Sequence, residues 1–380
     1  MTGTAHRNVD VLVVGLGPAG AAAAAEAAGS GLNVLAIERN AEAGEPVQCA
    51  EFVPAMIGME VRDLGDSRVQ PIGAMHTFVG GGPAEVTPDF RGIMVDRARF
   101  DRHLIALAEQ AGAECRFATP LRGLDADGTA TIGDGETVTG KIVIGADGPR
   151  SRVGEAIGAV NTDLVETRQV TVDLADAHSA TDIFLNAEIA GGYAWLFPRG
   201  EVCNLGLGVS QEHKARLKPL LDQLHAQLVV EGRVGETVHR HTGGLIPVGG
   251  MVGPVGKLGG TSVLLAGDAA GLTNPVTGAG IPAAVMSGSM AGAAAAGLVE
   301  GDADAADDYA EELAAIFGPS LALALRRRRA IVSTYRQGGL PDNGAMRDAW
   351  IAFPQYWAKD EAAAPHPLPA RKTLEAIDAP

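Results

Sequence analysis

Residues 9–40 read VDVLVVGLGPAGAAAAAEAAGSGLNVLAIERN, and this stretch decides the fold. "DVLVVG" is an unbroken apolar run of strand length, "PAGAAAAAEAAGSG" is a small-residue helix closed by glycine, and "NVLAIE" is a second apolar strand. Together they make a βαβ unit. Gly15, Gly17 and Gly20 fall between the first strand and the helix, where a dinucleotide-binding G-x-G-x-x-G must sit. Gly15 permits the tight turn, Gly17 lets the backbone approach a pyrophosphate, and Gly20 lets helix and strand pack closely. Pro18 and Ala19 start the helix, whose free N–H groups and positive dipole end face the phosphates. Glu38 closes the second strand 18 residues past Gly20, placed to accept hydrogen bonds from ribose hydroxyls. Arg39 beside it either accompanies the adenosine or is simply solvated.

The rest of the chain extends this unit and interrupts it. "DRARFDRHLIALAEQAGA" has helical period, and strands follow near "ECRFATPLRGL" and "GETVTGKIVIGADG". From Gln169 to Leu245 the pattern becomes alternating strands and hairpin turns, with one helix around Glu212 to Val230. "TSVLLAGDAAGLTNPVTGAGI" then returns to a buried strand, a loop and a helix. The expected architecture is therefore α/β: a Rossmann-type domain over residues 1–51, 92–160 and 255–300, with an inserted antiparallel β-sheet substrate domain over 52–91 and 161–254. A C-terminal helical region over 301–340 and a loosely held prolyl tail over 341–380 complete it. Within 52–95 the many glycines and prolines read as irregular structure.

Bulk composition narrows the function. A chain of 380 residues has room for two domains, and 46% apolar residues is ordinary for a globular protein. A net charge of −16 argues against general binding to nucleic acid. Three cysteines do not make a disulfide framework, so a reducing, cytoplasmic location is expected. The N-terminus carries no secretory signal, and the alanine-rich "IPAAVMSGSMAGAAAAGLVEG" reads as a buried helix rather than a bilayer span.

Two further motifs specify the nucleotide. In "IVIGADGPRSRVGEAIG", Asp147 and Gly148 follow a buried strand. In "LLAGDAAGLTNPVTGAGI", Gly267 and Asp268 follow another, and Asp268 is suited to accept from a ribityl hydroxyl. Gly278, Ala279, Gly280 and Ile281 bring backbone N–H groups to a helix start. These motifs, in this order, resemble the FAD-dependent oxidoreductases of the p-hydroxybenzoate hydroxylase-like fold over roughly residues 8–300. The resemblance implies FAD as cofactor, a contact from Arg97 in "VDRARFD", and a backbone contact to adenine from Leu121.

The β region carries a more particular pattern. "GGYAWLFPRGEVCNLGLGV" places Tyr193, Trp195 and Phe197 two apart, then Pro198, then Gly206 and Gly208, in a chain with only 4% aromatic residues. The spacing resembles the signature of the geranylgeranyl reductase family, flavoproteins that saturate isoprenoid double bonds. On a strand the three aromatic side chains share one face, an apolar wall for a prenyl chain, while Pro198 ends the strand and the two glycines leave room for the tail. The resemblance implies hydride transfer from reduced FAD to one alkene carbon and a proton to the other. Cys49, where archaeal members of the family carry C-G-x, is the candidate catalytic residue, with Ala50 standing in the glycine's place beside the flavin. Cys115 and Cys203 read as structural.

The remaining expectations concern partners. The substrate is a prenyl lipid or prenyl diphosphate, and electrons come from NAD(P)H, a ferredoxin or another reduced carrier. Arg326, Arg327, Arg328 and Arg329 form a basic island, placed either to pair with the acidic "DADAADDYAEE" or to make peripheral membrane contact. Nine scattered histidines suggest no metal, and His239 and His241 read as solvated sheet residues. The rival readings are an NAD(P)H-dependent aromatic hydroxylase, a desaturating or quinone-linked dehydrogenase, and a non-catalytic lipid-binding flavoprotein. They share the flavin motifs.

Overall fold

Local patterning becomes two sheets in the computed structural model, which describes residues 6–55 and 64–358. The first sheet runs in the order Val255–Leu258, Thr261–Leu265, Glu136–Gly145, His6–Val14, Val34–Ile37, Glu114–Arg116. Its core strands are parallel, and the central strand His6–Val14 is buried on both faces over Val11–Val14, which is why that part is continuously apolar. The helices Pro18–Gly29 and Ile281–Glu300 cross beside it. Alanine and glycine build both helices because their backbones nearly touch. A Cβ at Gly288 would fall onto the carbonyl of Ala19, and one at Gly292 would lie 2.6 Å from the carbonyl of Ala23.

Ile281–Glu300 is long and apolar enough to cross a membrane, yet it packs here against Pro18–Gly29 and the 32-residue helix Ala305–Arg336. Its Ser287 hydroxyl accepts a hydrogen bond from the Gly267 N–H at 2.9 Å, tying it to the first sheet's last loop. The Gly288→Val variant is expected to lose about 3 kcal/mol or more of stability, because neither backbone can yield. An unchanged urea midpoint would show that the crossing is looser than this geometry.

The second sheet runs Val234–Thr242, Leu164–Leu174, Val202–Ser210, Ala194–Arg199, Ala180–Leu185, Arg68–Val79, Ala84–Val95, Phe52–Pro54. It is antiparallel except where Ala180–Leu185 and Arg68–Val79 run parallel. Helix Leu217–Val230 covers one face, burying Leu217, Leu220, Leu221 and Leu228 against Ala194, Leu196 and Leu205. The opposite face carries Trp195, Phe197, Met75 and Ile183.

Three sequence expectations change here. The region read as irregular over 52–95 contains a hairpin of two 12-residue strands, turning at Gly80 and Gly81, both with positive φ. Register shifts between Arg68 and Gln70 and between Ile72 and Ala74 blur the alternation that would have revealed it. Pro198 does not end its strand, which continues to Arg199. Pairing to Ala180–Leu185 stops at Leu196, so Pro198 is paired on one side only, where a strand tolerates proline. The expected loose tail begins too early. Asn343–Asp348 and Pro354–Trp357 are short helices whose Met346, Trp350, Phe353 and Tyr356 are buried, and residues 359–380 lie outside the described part.

Candidate active site

A cavity of about 530 Å³ opens between the first sheet's loops and the aromatic face of the second sheet. Two helix N-termini end on it. Gly17 is the N-cap of Pro18–Gly29 and Gly280 the N-cap of Ile281–Glu300, and neither end is capped by a side chain. A Cβ on Gly17 would meet nothing within 4 Å, so that glycine leaves open space for a ligand beside free N–H groups. Gly15, with φ +94°, serves packing instead: a Cβ there would press on the Ala146 carbonyl, and one on Gly20 would strike Gly15 itself.

The expected cofactor contacts divide into two groups. Gly17, Pro18, Ala19, Ala50, Arg97, Gly148, Asp268, Gly278, Gly280 and Ile281 line the cavity. Gly15, Gly20, Glu38, Arg39, Leu121, Asp147 and Gly267 do not. Glu38 accepts from the N–H groups of Leu16 at 3.0 Å and Asn40 at 2.9 Å, fixing the glycine turn, while Arg39 is exposed. Asp147 supports the start of the helix Arg152–Ala156, accepting from the Arg152 N–H at 2.7 Å and from the hydroxyl of Ser151, the helix N-cap. Its neighbours Ala146 and Gly148 reach the cavity in its place. The Leu121 carbonyl accepts from Arg152 Nη1 at 2.8 Å.

Asp268 sits on the turn after Thr261–Leu265, and its Oδ1 accepts from the Thr273 hydroxyl at 2.6 Å. Burial pushes its carboxyl above the ordinary range, opposed by the Thr273 hydrogen bond and the charge of Arg97. Arg97, first residue of the helix Arg97–Gln110, makes a bidentate pair with Asp101 at 3.1 Å and contacts Cys49. Burial alone would lower its pKa, but Asp101 and Cys49 hold it above the usual arginine value.

Cys49 is half-buried on the cavity wall, and its Sγ accepts from the Glu51 N–H at 3.2 Å. Glu51 holds this turn in place. Its φ is +67°, a strained value for a residue with a side chain, and its buried carboxylate accepts from the Arg97 N–H at 3.1 Å and from Asn204 Nδ2 at 2.9 Å. Glu51 was not legible as a site residue, because its partners come from distant segments.

The aromatic row forms the opposite wall. Tyr193, Trp195 and Phe197 line the cavity, with ring centroids 5.7 Å and 6.1 Å apart in sequence. Phe52 extends the row 5.5 Å from Phe197, Phe90 lies 6.0 Å beyond it, and Trp350 closes the other end 4.7 Å from Tyr193. Polar ends are anchored: Tyr193 donates to the Thr277 carbonyl at 2.6 Å, and Trp195 Nε1 donates to Gln169 Oε1 at 2.9 Å. Gln169 in turn donates to Thr242 Oγ1 at 3.1 Å and to the Cys49 carbonyl at 3.3 Å.

Gly206 and Gly208 do not hold open a channel. Gly206 lies opposite Trp195 in the ladder, and a Cβ there would come within 2.5 Å of the indole, which fills the space. Gly208 makes the same room for Val165, 2.8 Å from its would-be Cβ.

A family model described as an FAD binding domain matches residues 8–184, and one described as the geranylgeranyl reductase catalytic domain matches residues 163–245. A digeranylgeranylglycerophospholipid reductase of Methanocella arvoryzae is 34% identical over 343 residues, covering 82% of this chain and 84% of the relative. The chain belongs to the geranylgeranyl reductase family. A second relative of the same description, from Methanopyrus kandleri, is 36% identical over 77% of this chain and 82% of its own length. The solved structure of a geranylgeranyl bacteriochlorophyll reductase-like protein from Thermoplasma acidophilum superposes with a TM-score of 0.77 at 25% identity, covering 90% of both chains. The probable FAD-dependent monooxygenase pqsL from Pseudomonas aeruginosa, at 17% identity and TM-score 0.68, shares the fold.

As a member of this reductase family the chain takes FAD, and the two uncapped helix ends with the open face of Gly17 fit a dinucleotide. Two of the four arginines of the basic island are engaged within the fold, while Arg326 and Arg329 are exposed. Arg327 donates to the Tyr356, Gln355 and Ala358 carbonyls at 3.0 Å, and Arg328 is buried, donating to the Gly191 carbonyl at 2.6 Å. The acidic segment at residues 302–312 begins the same helix, and at about 1.5 Å per residue its nearest carboxylate lies about 20 Å up the axis from Arg326. The histidines, scattered in sequence, are not all scattered in space: His76 and His178 meet Asp182.

Proposed function

We propose that the protein saturates carbon–carbon double bonds of an isoprenoid chain of the geranylgeranyl type, with FAD as the redox cofactor. The observation that carries the reading is the continuous aromatic wall from Phe90 to Trp350, which faces the same cavity as the two uncapped helix ends. The names of the relatives supply the chain type.

In this reading the helix ends at Gly17 and Gly280 hold the phosphates, and Asp268 accepts from a ribityl hydroxyl. FAD, when bound and reduced, supplies hydride to one alkene carbon. The wall of Phe52, Phe197, Trp195 and Tyr193 lays the chain against the reacting face and keeps water away. Cys49 Sγ, in contact with Arg97, gives its proton to the other alkene carbon and regains one from solvent once the product has left. The isoprenoid enters past Trp357, which lines the cavity and is 61% exposed. Electrons are assigned to an external reduced carrier, NAD(P)H or a ferredoxin.

Product mass separates this reading from the hydroxylase. Turnover of a geranylgeranyl substrate in air is expected to add two hydrogens per reduced bond. A product that has gained an oxygen atom would overturn it.

A further inference from the structure

We propose that His76, His178 and Asp182 form a divalent-metal site of the zinc class on the outer face of the second sheet. Strands Arg68–Val79 and Ala180–Leu185 pair in parallel with His76 opposite Asp182, and His178 precedes that aspartate by four residues. His76 Nδ1 lies 3.1 Å and His178 Nε2 2.9 Å from Asp182 Oδ1, and the three ligand atoms all lie within 4.8 Å of one another. Bonds of about 2.0–2.1 Å around a tetrahedral ion set ligand atoms roughly 3.3 Å apart, so small side-chain shifts complete the site.

Burial and second contacts suit the assignment. The Asp182 side chain is fully buried, while the imidazoles are 28% and 24% exposed, which lets an ion arrive from solvent and keep a water as fourth ligand. Arg233 donates to the other carboxylate oxygen and lies over the Phe78 and Phe184 rings at 5.4 Å and 5.8 Å. It therefore fixes Asp182 as a ligand through Oδ1 alone, the outer contact that orients a metal-bound carboxylate. Without an ion each neutral ring can donate its N–H to Oδ1; on binding, that nitrogen turns its lone pair to the metal and the ring proton moves to the other nitrogen. The charge of Arg233 opposes the ion, which sets this site below a cysteine-rich one in affinity.

The site's role follows from strand alternation. Met75, Thr181 and Ile183 line the active-site cavity, so His76 and Asp182 point away from it. The ion is a staple across the parallel pair of strands, bracing the cavity wall from behind. It takes no part in hydride transfer.

The test uses tag-free, full-length protein with FAD bound, stripped with a chelator and dialysed. Titration with Zn²⁺ is expected to bind one equivalent and raise Tm, and Co²⁺ is expected to give visible d–d absorption of a low-coordinate nitrogen–oxygen site. His178→Ala and His76→Gln are each expected to weaken binding at least about tenfold while leaving the flavin spectrum unchanged. No bound equivalent in the wild-type protein would overturn the proposal, as would Zn²⁺ affinity undiminished in both variants. Should either variant fail to fold, the Co²⁺ spectrum of the wild-type protein decides alone.

Discussion

Asp268→Ala is expected to give folded protein that purifies largely without yellow flavin. Asp268 lines the cavity with a carboxylate that burial holds above its ordinary pKa, against a hydrogen bond from the Thr273 hydroxyl and the charge of Arg97. Removing it relieves the apoprotein of a poorly solvated acid, so the fold should not suffer. A charge-assisted hydrogen bond contributes about 1.5–3 kcal/mol, so FAD should bind about ten- to a hundredfold more weakly. The pH dependence has a definite sign. A folded-state pKa above the unfolded one means that Asp268 supports the apoprotein at low pH, and that this support is lost as pH rises through its titration. Asp268→Asn should flatten that part of the curve. Full FAD occupancy of Asp268→Ala at purification would remove the assigned contact.

Trp195→Ala should have the larger effect on turnover. The indole is 6% exposed, stacks on Phe197, fills the space above Gly206 and donates to Gln169. Truncation opens a cavity and strands the Gln169 carbonyl, at about 3–5 kcal/mol of stability. The uncapped helix ends are untouched, so the flavin spectrum should persist. Prenyl reduction should fall at least about a hundredfold, since a displaced chain no longer meets the reacting face. Trp195→Phe keeps a ring and loses only the N–H, and should lie between. Turnover unchanged in both variants would leave the aromatic row as packing alone.

What could be read in advance follows the range of the interactions. The βαβ unit at residues 9–40 is local, with each glycine acting on neighbours a few residues away, and the structure places it as the spacing dictates. The aromatic row at 193–197 was visible because a strand repeats every two residues. Its continuation through Phe52, Phe90 and Trp350 was not, because those rings arrive from segments separated by a hundred residues or more. Gly206 and Gly208 looked like empty space in one dimension and are filled in three by Trp195 and Val165. Asp147 fits the family's cofactor motif, yet its oxygens accept from the Ser151 hydroxyl and the Arg152 N–H at the start of the next helix. The four arginines at 326–329 read as a patch, though a helix turns successive residues about 100° apart and so sends Arg328 inward and Arg327 to the Pro354–Trp357 helix.

The most direct test of the central claim is anaerobic. The holoprotein is reduced with dithionite to one equivalent, mixed with a geranylgeranyl lipid or diphosphate, and followed at the flavin absorbance. The account predicts reoxidation of the flavin in step with substrate, and a product heavier by two hydrogens. Flavin that stays reduced with every such substrate until oxygen is admitted would contradict it.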